Sequence, residues 1–461
     1  MRTNSFCFMI NYNGLMKFIK KYLLIIIIFL SGFLMRLGLM FIASSFDINN
    51  HISWAQDAYS QGLAGFYETQ SKEVYAWLYP NYPPLAIFIF YLVFIIKQPV
   101  FNVLWWLNLK LPFFPSKIFS FLGTRGYTTG FYKIPAIIFD LILAYSCYLF
   151  AKKLFPKDKQ KHILAASLIL FNPMFFYISG LWGQIEAIVL SFFLISVYLL
   201  VFSKKPVLSF VFFVLSFLVK PVIIIFLPIY LIYFFKKYGW KNILYSSIIG
   251  NLIFWLFFLP FYKNGNIFIY PYMTYFNKII LSQSMDKVSN SAFNFWSINP
   301  QLMQIKDITK IVGPFSYQVI GLIIVIIFYL IIINLYLKKT KSIAAFFYSI
   351  FLTGFSYIMF STRMHERYFI YLLPFIFLIC LKESKYFKWT VFLSILFFFN
   401  LFYSWSTPYF NWMGPLKNNT TISLLSLINF LSFLYLLFKM NGRLLIEAGF
   451  FLGKKFIKLL I

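Results

Sequence analysis

Acid is scarce in this sequence. Asp and Glu together number 12 among 461 residues, against 41 Lys and Arg, a net charge of +29. Cysteine is equally rare: Cys7 lies near the N-terminus and Cys147 and Cys380 lie in apolar runs, so no disulfide framework or zinc spacing is present. The histidines are His51, His162 and His365, with no HExxH and no His cluster. No metal site is expected, no cofactor is required, and a divalent ion is neither demanded nor excluded. Phosphate-loop and dinucleotide fingerprints are missing, which leaves an ATP-driven or NAD-linked activity without a visible site. The apolar runs lack the alternating polar face of a lumen, which argues against a membrane barrel.

Apolar residues are abundant: 61% of the chain is hydrophobic and 23% aromatic, beyond the range of a soluble domain. Runs long enough to cross a roughly 30 Å hydrocarbon core recur along the whole length, and the backbone there must close its hydrogen bonds inside helices. In such a chain excess Lys and Arg set topology and meet anionic headgroups rather than nucleic acid. Basic clusters fall at Lys17 to Lys21, Lys152 to Lys161, Lys204 and Lys205, Lys236 to Lys241, Lys338 to Lys341, Lys382 to Lys388 and from Lys439 onward. Taken as cytoplasmic markers, they predict an all-α polytopic cell-membrane protein of about twelve transmembrane helices with both termini inside.

The predicted spans are 22–43, 132–151, 163–179, 186–203, 206–219, 221–235, 243–261, 311–337, 342–361, 368–381, 388–405 and 421–438. Residues 206–219 and 221–235 are short and joined at Lys220-Pro221, as in a tilted or re-entrant pair. The first run is too long for a signal-peptide core and reads as a retained helix. The layout is then a cytoplasmic arm over 1–21, a membrane domain over 22–440 with outer loops at about 44–131 and 262–310, and a basic amphipathic tail over 441–461. Apolar stretches within the first loop, such as Leu85 to Ile96, are expected to lie at the interface.

With so few acids, each can be placed. Asp47, Asp57, Glu68 and Glu73 crowd the first loop, Glu186 and Glu366 fall near outer helix ends, and Asp140 is about ten residues into a span. Were FDINNHISWAQDAYSQG to begin a helix, Asp47, His51 and Trp54 would share one face, either as a functional face or as an N-cap with an interfacial anchor. Asp140 calls for a function or a charged partner. GLWGQIEA sets Trp182, Gln184 and Glu186 at an outer mouth, and LVKP puts Lys220 between apolar spans. TRMHERY gathers Arg363, His365, Glu366 and Arg367 in an apolar context. This cluster reads either as a headgroup contact or as a cationic clamp, and its outer position favours the clamp.

In order along the chain, an acid-led first loop, YPNYPPLAIF, KIPAIIFD, FNP…GLWGQIEA, LVKP, SAFNFW and TRMHERY resemble the GT-C superfamily of polyprenyl-phosphate-sugar-dependent glycosyltransferases. The likeness covers about residues 20 to 380. It is nearest to prokaryotic mannosyltransferase-like proteins related to the enzyme that adds the second mannose of the GPI anchor. It extends more distantly to dolichol-linked oligosaccharide glucosyltransferases. The resemblance implies inverting transfer of a hexose, mannose by the nearest likeness, from a polyprenyl-phosphate-sugar to an extracytoplasmic glycan, lipid or protein acceptor of the cell envelope. It makes Asp47 the counterpart of the catalytic acidic residue that follows the first span. Two departures are DIN in place of paired acids, and Glu186 where relatives commonly carry Asp.

A sugar on phosphate already has a good leaving group, so the chemistry needs a base and cations more than a second acid. Asp47 is the candidate base, and Arg363, His365, Arg367 and Lys220 are candidate phosphate ligands. His51, Trp54, Asp57, Tyr82, Trp182, Gln184, Glu186, Asn294, Trp296 and Glu366 are candidate lining for the sugar and acceptor. The competing class is a transporter or flippase of a polysaccharide or lipid-linked glycan, with Asp140, Lys220 and Arg363 along its path.

Overall fold

A computed structural model describes residues 12–71, 79–282, 285–338 and 342–441. The expected tail over 441–461 lies almost wholly outside these, as do Glu73 and most of the N-terminal arm. The described residues form helices α1 (Tyr12–Leu39), α2 (Asp47–Gln61), α3 (Pro84–Lys110), α4 (Ile134–Leu154), α5 (Lys159–Leu170), α6 (Glu186–Tyr198), α7 (Pro206–Val219), α8 (Leu227–Phe258), α9 (Tyr317–Lys338), α10 (Ile343–Phe360), α11 (Leu373–Lys382), α12 (Phe387–Ser404) and α13 (Asn419–Asn441). One small antiparallel hairpin, Lys310–Val312 with Phe315–Ser316, interrupts the helical pattern.

Among the described residues, eight helices are long and apolar enough to cross a membrane, or nine if the bent pair Lys159–Leu170 and Pro173–Trp182 is one span. That is fewer than about twelve, and the difference has local causes. The predicted span 206–219 is realised as α7, an apolar helix of only 14 residues. Span 368–381 divides into a 3₁₀ segment, Glu366–Leu372, and the ten-residue α11. Pro221–Phe261 forms one helical stretch of 41 residues, twice what a single crossing needs. It reverses inside: Gly239 has φ +77 amid Lys236, Lys237 and Lys241. Before the reversal Tyr230 hydrogen-bonds Ser209 near the start of α7, and after it Phe254 packs on Phe217 near the end of α7. Its two halves therefore pass α7 in opposite directions, as spans 221–235 and 243–261 anticipate.

Within the first loop, α3 is long enough to count as a span, although only a short interfacial stretch was expected there. Lys97, Gln98 and Pro99 interrupt the apolar run in sequence, yet the helix carries Pro99 and continues to Lys110. Much of its packing is with other loop elements: His51 stacks on Phe90, Lys97 Nζ donates to Thr128, and Trp105 packs on Phe119.

The bundle interior is aromatic, as in the parallel stack of Phe193 on Phe226 with Phe375 beside them. Asp140 is fully buried and paired: Arg36 Nε lies 2.6 Å from Oδ2, and Ser179 donates to the same oxygen. Arg36 Nη1 also donates to the carbonyls of Gly32 and Leu170. Of the two readings open for Asp140, the paired one describes the fold.

Candidate active site

Chain segments that are remote in sequence meet above this core. Ser45 N donates to Trp182 O, which fixes the start of α2 against the turn that precedes α6. Gly183 there has φ +88, and a Cβ on it would come within 2.7 Å of Ile48 Cδ1, so only glycine lets the turn approach α2 this closely. Behind the turn, buried Lys133 donates to the carbonyls of Met40, Ala43, Gly180 and Leu181, tying the end of α1 to the same place. The result is that Gln184 Nε2 donates to Asp47 Oδ2 at the first residue of α2.

Glu186 opens α6, where the helix N-terminus favours a carboxylate. Its Oε1 lies 2.7 Å from Lys220 Nζ and 3.3 Å from Arg367 Nε. Arg367 Nη1 lies 3.1 Å from Glu366 Oε1, and His365 Nδ1 is 3.9 Å from the other Glu366 oxygen. Aromatic faces cover the cations: Lys220 sits 5.4 Å from the Tyr82 ring and 5.9 Å from Tyr368, and Arg367 lies 5.5 Å from Trp182. His51 stacks on Phe90 at 4.1 Å and tilts toward Tyr82.

Formal charges here are three carboxylates, Asp47, Glu186 and Glu366, against Lys220 and Arg367. Both imidazoles are held neutral. Burial, then Lys220, pushes His51 down to about 3, and burial, then Arg367, holds His365 well below its ordinary range. Burial raises Glu366 although Arg367 opposes it.

Polar atoms are left without partners in this cluster: both ring nitrogens of His51, the indole nitrogens of Trp54 and Trp182, Gln184 Oε1, Glu186 Oε2 and the Tyr371 hydroxyl. Buried polar groups are almost always paired, and each orphan costs about 1–3 kcal/mol. So many together fit a site that completes its hydrogen bonds with a polar ligand. Among the described residues no group of three His, Cys, Asp or Glu is arranged around a metal position.

Residues 81–410, more than half of the chain, match the model of the ALG6, ALG8 glycosyltransferase family. The chain belongs to this family. It is a glycosyltransferase of GT-C type, and membership favours the enzyme over the transporter. A search of curated proteins finds no match.

The matched region of this ALG6, ALG8-family enzyme includes Tyr82, Trp182 to Glu186, Lys220 and the TRMHERY stretch but begins after Asp47, His51, Trp54 and Asp57. Tertiary contacts join the two sets, Asp47 through Gln184 and His51 through Tyr82. Trp54, fully buried, also packs 5.4 Å from Tyr82. Other candidates are engaged elsewhere. Arg363 pairs with Asp307 through two hydrogen bonds of 2.7 and 3.1 Å, and Thr362 donates to the same carboxylate. Asn294 bonds Ser297 and the Ile358 carbonyl, and Trp296 donates to Phe360 O, so SAFNFW stitches the second long loop to α10. Asp57 accepts from Gln61 and Ser71 within the first loop.

Sequence reasoning passed over Tyr368, Tyr371 and Lys133. The two tyrosines stand three apart in ERYFIYL, a spacing that shares one edge in the 3₁₀ segment the enzyme forms there. Lys133 opens the KIPAIIFD stretch, but by itself it reads only as a lysine before an apolar run.

Proposed function

We propose that this glycosyltransferase moves a hexose from a polyprenyl-phosphate-sugar to an extracytoplasmic glycan, lipid or protein acceptor with inversion. Asp47 takes the acceptor hydroxyl proton as the acceptor oxygen attacks the anomeric carbon. The bond from that carbon to the phosphate oxygen breaks on the opposite face, and polyprenyl phosphate departs with the electron pair. Lys220 and Arg367 meet the phosphate; Arg367 supplies a planar fork, and both cations are pre-positioned by Glu186 and Glu366. Arg363, bound to Asp307, then serves the loop rather than the phosphate. His365 beside Glu366 is neutral and offers a ring nitrogen as a hydrogen-bond donor.

The observation that carries this reading is the buried charge cluster with its unpartnered polar atoms around Asp47, Glu186 and Arg367, in a chain of this family. The sugar is mannose by the likeness stated above, so the test offers both mannosyl and glucosyl donors. Purified protein is incubated with each polyprenyl-phosphate-sugar and with acceptor extracts, and products are separated by mass. Transfer is expected with one donor, and Asp47→Asn should lower turnover by about 10²–10⁴ while donor binding persists. Vesicle translocation without transfer would sink the reading, and full turnover in Asp47→Asn would remove the base.

A further inference from the structure

A second polar site lies apart from the charge cluster. A cleft of about 420 Å³ is lined by Glu68, Lys263, Asn264, Tyr270, Asn277 and Lys278, a volume within the small-ligand range of about 300–1,000 Å³. It is braced rather than loose. Gly65 N and the Tyr270 hydroxyl both donate to Phe261 O, at 3.0 and 2.8 Å. Gly65 itself has φ +76, and a Cβ there would lie 2.7 Å from Lys263 Cδ, so glycine lets the lysine stem lie flat against the first loop. Lys278 Nζ rests 4.9 Å from the Tyr79 ring.

The lining mixes free donors and acceptors. Among the described residues, Glu68 has no ion pair, and the Asn264 and Asn277 amides have no hydrogen-bond partner. A carboxylate, two amides, two ammonium groups and a tyrosine ring suit a ring bearing adjacent hydroxyls, each of which both donates and accepts. An inorganic anion would find its two lysines opposed by Glu68.

Packed side chains link the cleft to the charge cluster. Phe66 and Tyr67 pack on Phe261 at 5.9 and 5.2 Å, and the Tyr67 hydroxyl donates to the carbonyl of Tyr82, whose ring covers Lys220. We infer that the Glu68–Lys263–Asn277 cleft is a hexose-binding subsite that holds a residue of the acceptor glycan. This rests on the proposed transfer reaction, in which the donor's sugar must lie at Asp47 and a second ring therefore belongs to the acceptor.

The test reads binding without turnover. The full chain in detergent is examined by saturation-transfer difference NMR with methyl α-D-mannopyranoside and methyl α-D-glucopyranoside as probes. At least one hexoside should give a signal that falls severalfold in Glu68→Gln/Asn277→Ala and persists in Asp47→Asn. Both substitutions in the double variant are at exposed positions, so the fold should survive them. A signal unchanged in the double variant, or lost in Asp47→Asn, overturns the subsite. So does the absence of hexoside signal while inorganic phosphate shows ³¹P broadening that Lys263→Gln/Lys278→Gln removes. Hexoside binding here in a chain that transfers no sugar would defeat the proposed function and leave the subsite standing. Normal transfer with the acceptor KM unchanged in the double variant would defeat the acceptor role alone.

Discussion

Arg367 is the residue on which the cluster turns, because it stands between Glu186 and Glu366 with Trp182 against its face. A lysine there would keep the charge but lose the fork that spans two carboxylates and a phosphate. Arg367→Lys is expected to raise the donor KM by about tenfold, one hydrogen bond to a charged group being worth about 1.5–3 kcal/mol, and Arg367→Gln by more; equal KM values in all three forms would show that the phosphate is held elsewhere. His51 gives a pH prediction with a definite sign. Its native value of about 3 lies below its ordinary 6.5, so between those limits the unfolded chain binds the proton first and stability falls as pH falls. The limiting slope is about 1.4 kcal/mol per pH unit. His365 acts in the same sense and Glu366 in the opposite one. His51→Phe keeps a ring against Phe90 and removes the titration, so its melting temperature in detergent should drop less between pH 7 and 5 than that of the parent chain. An identical drop would mean that His51 is not buried neutral. At this scale the candidate residues were legible in sequence because ionisable groups are so few, but their partners were not. Arg363 and Arg367 look equivalent in TRMHERY, and only the packing of Asp307 against Arg363 separates them.

At the scale of elements, the site depends on three backbone pieces held together: the end of α1, the turn before α6 and the start of α2. Gly183 and Lys133 make that junction, one by leaving room and the other by capping four carbonyls. Gly183→Ala forces a left-handed conformation that costs about 1–2 kcal/mol and pushes on Ile48, the neighbour of Asp47. It should lower the melting temperature modestly and turnover more strongly, since Asp47 moves with Ile48; a variant with parental turnover would show that α2 is not positioned through this contact. The second long loop is an element of the same kind. Its SAFNFW stretch was read as cleft lining, since Asn and Trp suit sugars, but the same groups suit backbone capping, and Asn294 and Trp296 cap the loop on α10. Apolar run length found most helices. It missed α3 as one continuous piece because a Lys-Gln-Pro interruption breaks an apolar run without breaking a helix.

For the whole molecule, the basic clusters are expected to mark one side of the membrane, and Gly239 reverses the chain within one of them. The candidate site and the Glu68 cleft fall on the side opposite Lys152 to Lys161 if those lysines are cytoplasmic. With Cys7 replaced by Ser, and with Cys147 and Cys380 buried, a single cysteine at Asn264 should react with an impermeant maleimide on intact cells. One at Lys157 should react only after permeabilisation. The reverse pattern would invert the topology and place the reaction on the cytoplasmic side.

Composition alone determined that this chain lives in a membrane and that its chemistry must fall to a handful of ionisable residues. Those conclusions need only the cost of exposing apolar surface to water and of burying charge in hydrocarbon. The pairing of those residues was decided by tertiary structure. Arg36 finds Asp140 across 104 positions and Gln184 finds Asp47 across 137, and a charge in a low-dielectric interior takes whichever partner the packing of helices brings within about 3 Å. Sequence order therefore names the charges, while helix packing selects which are tied into the scaffold and which face a substrate.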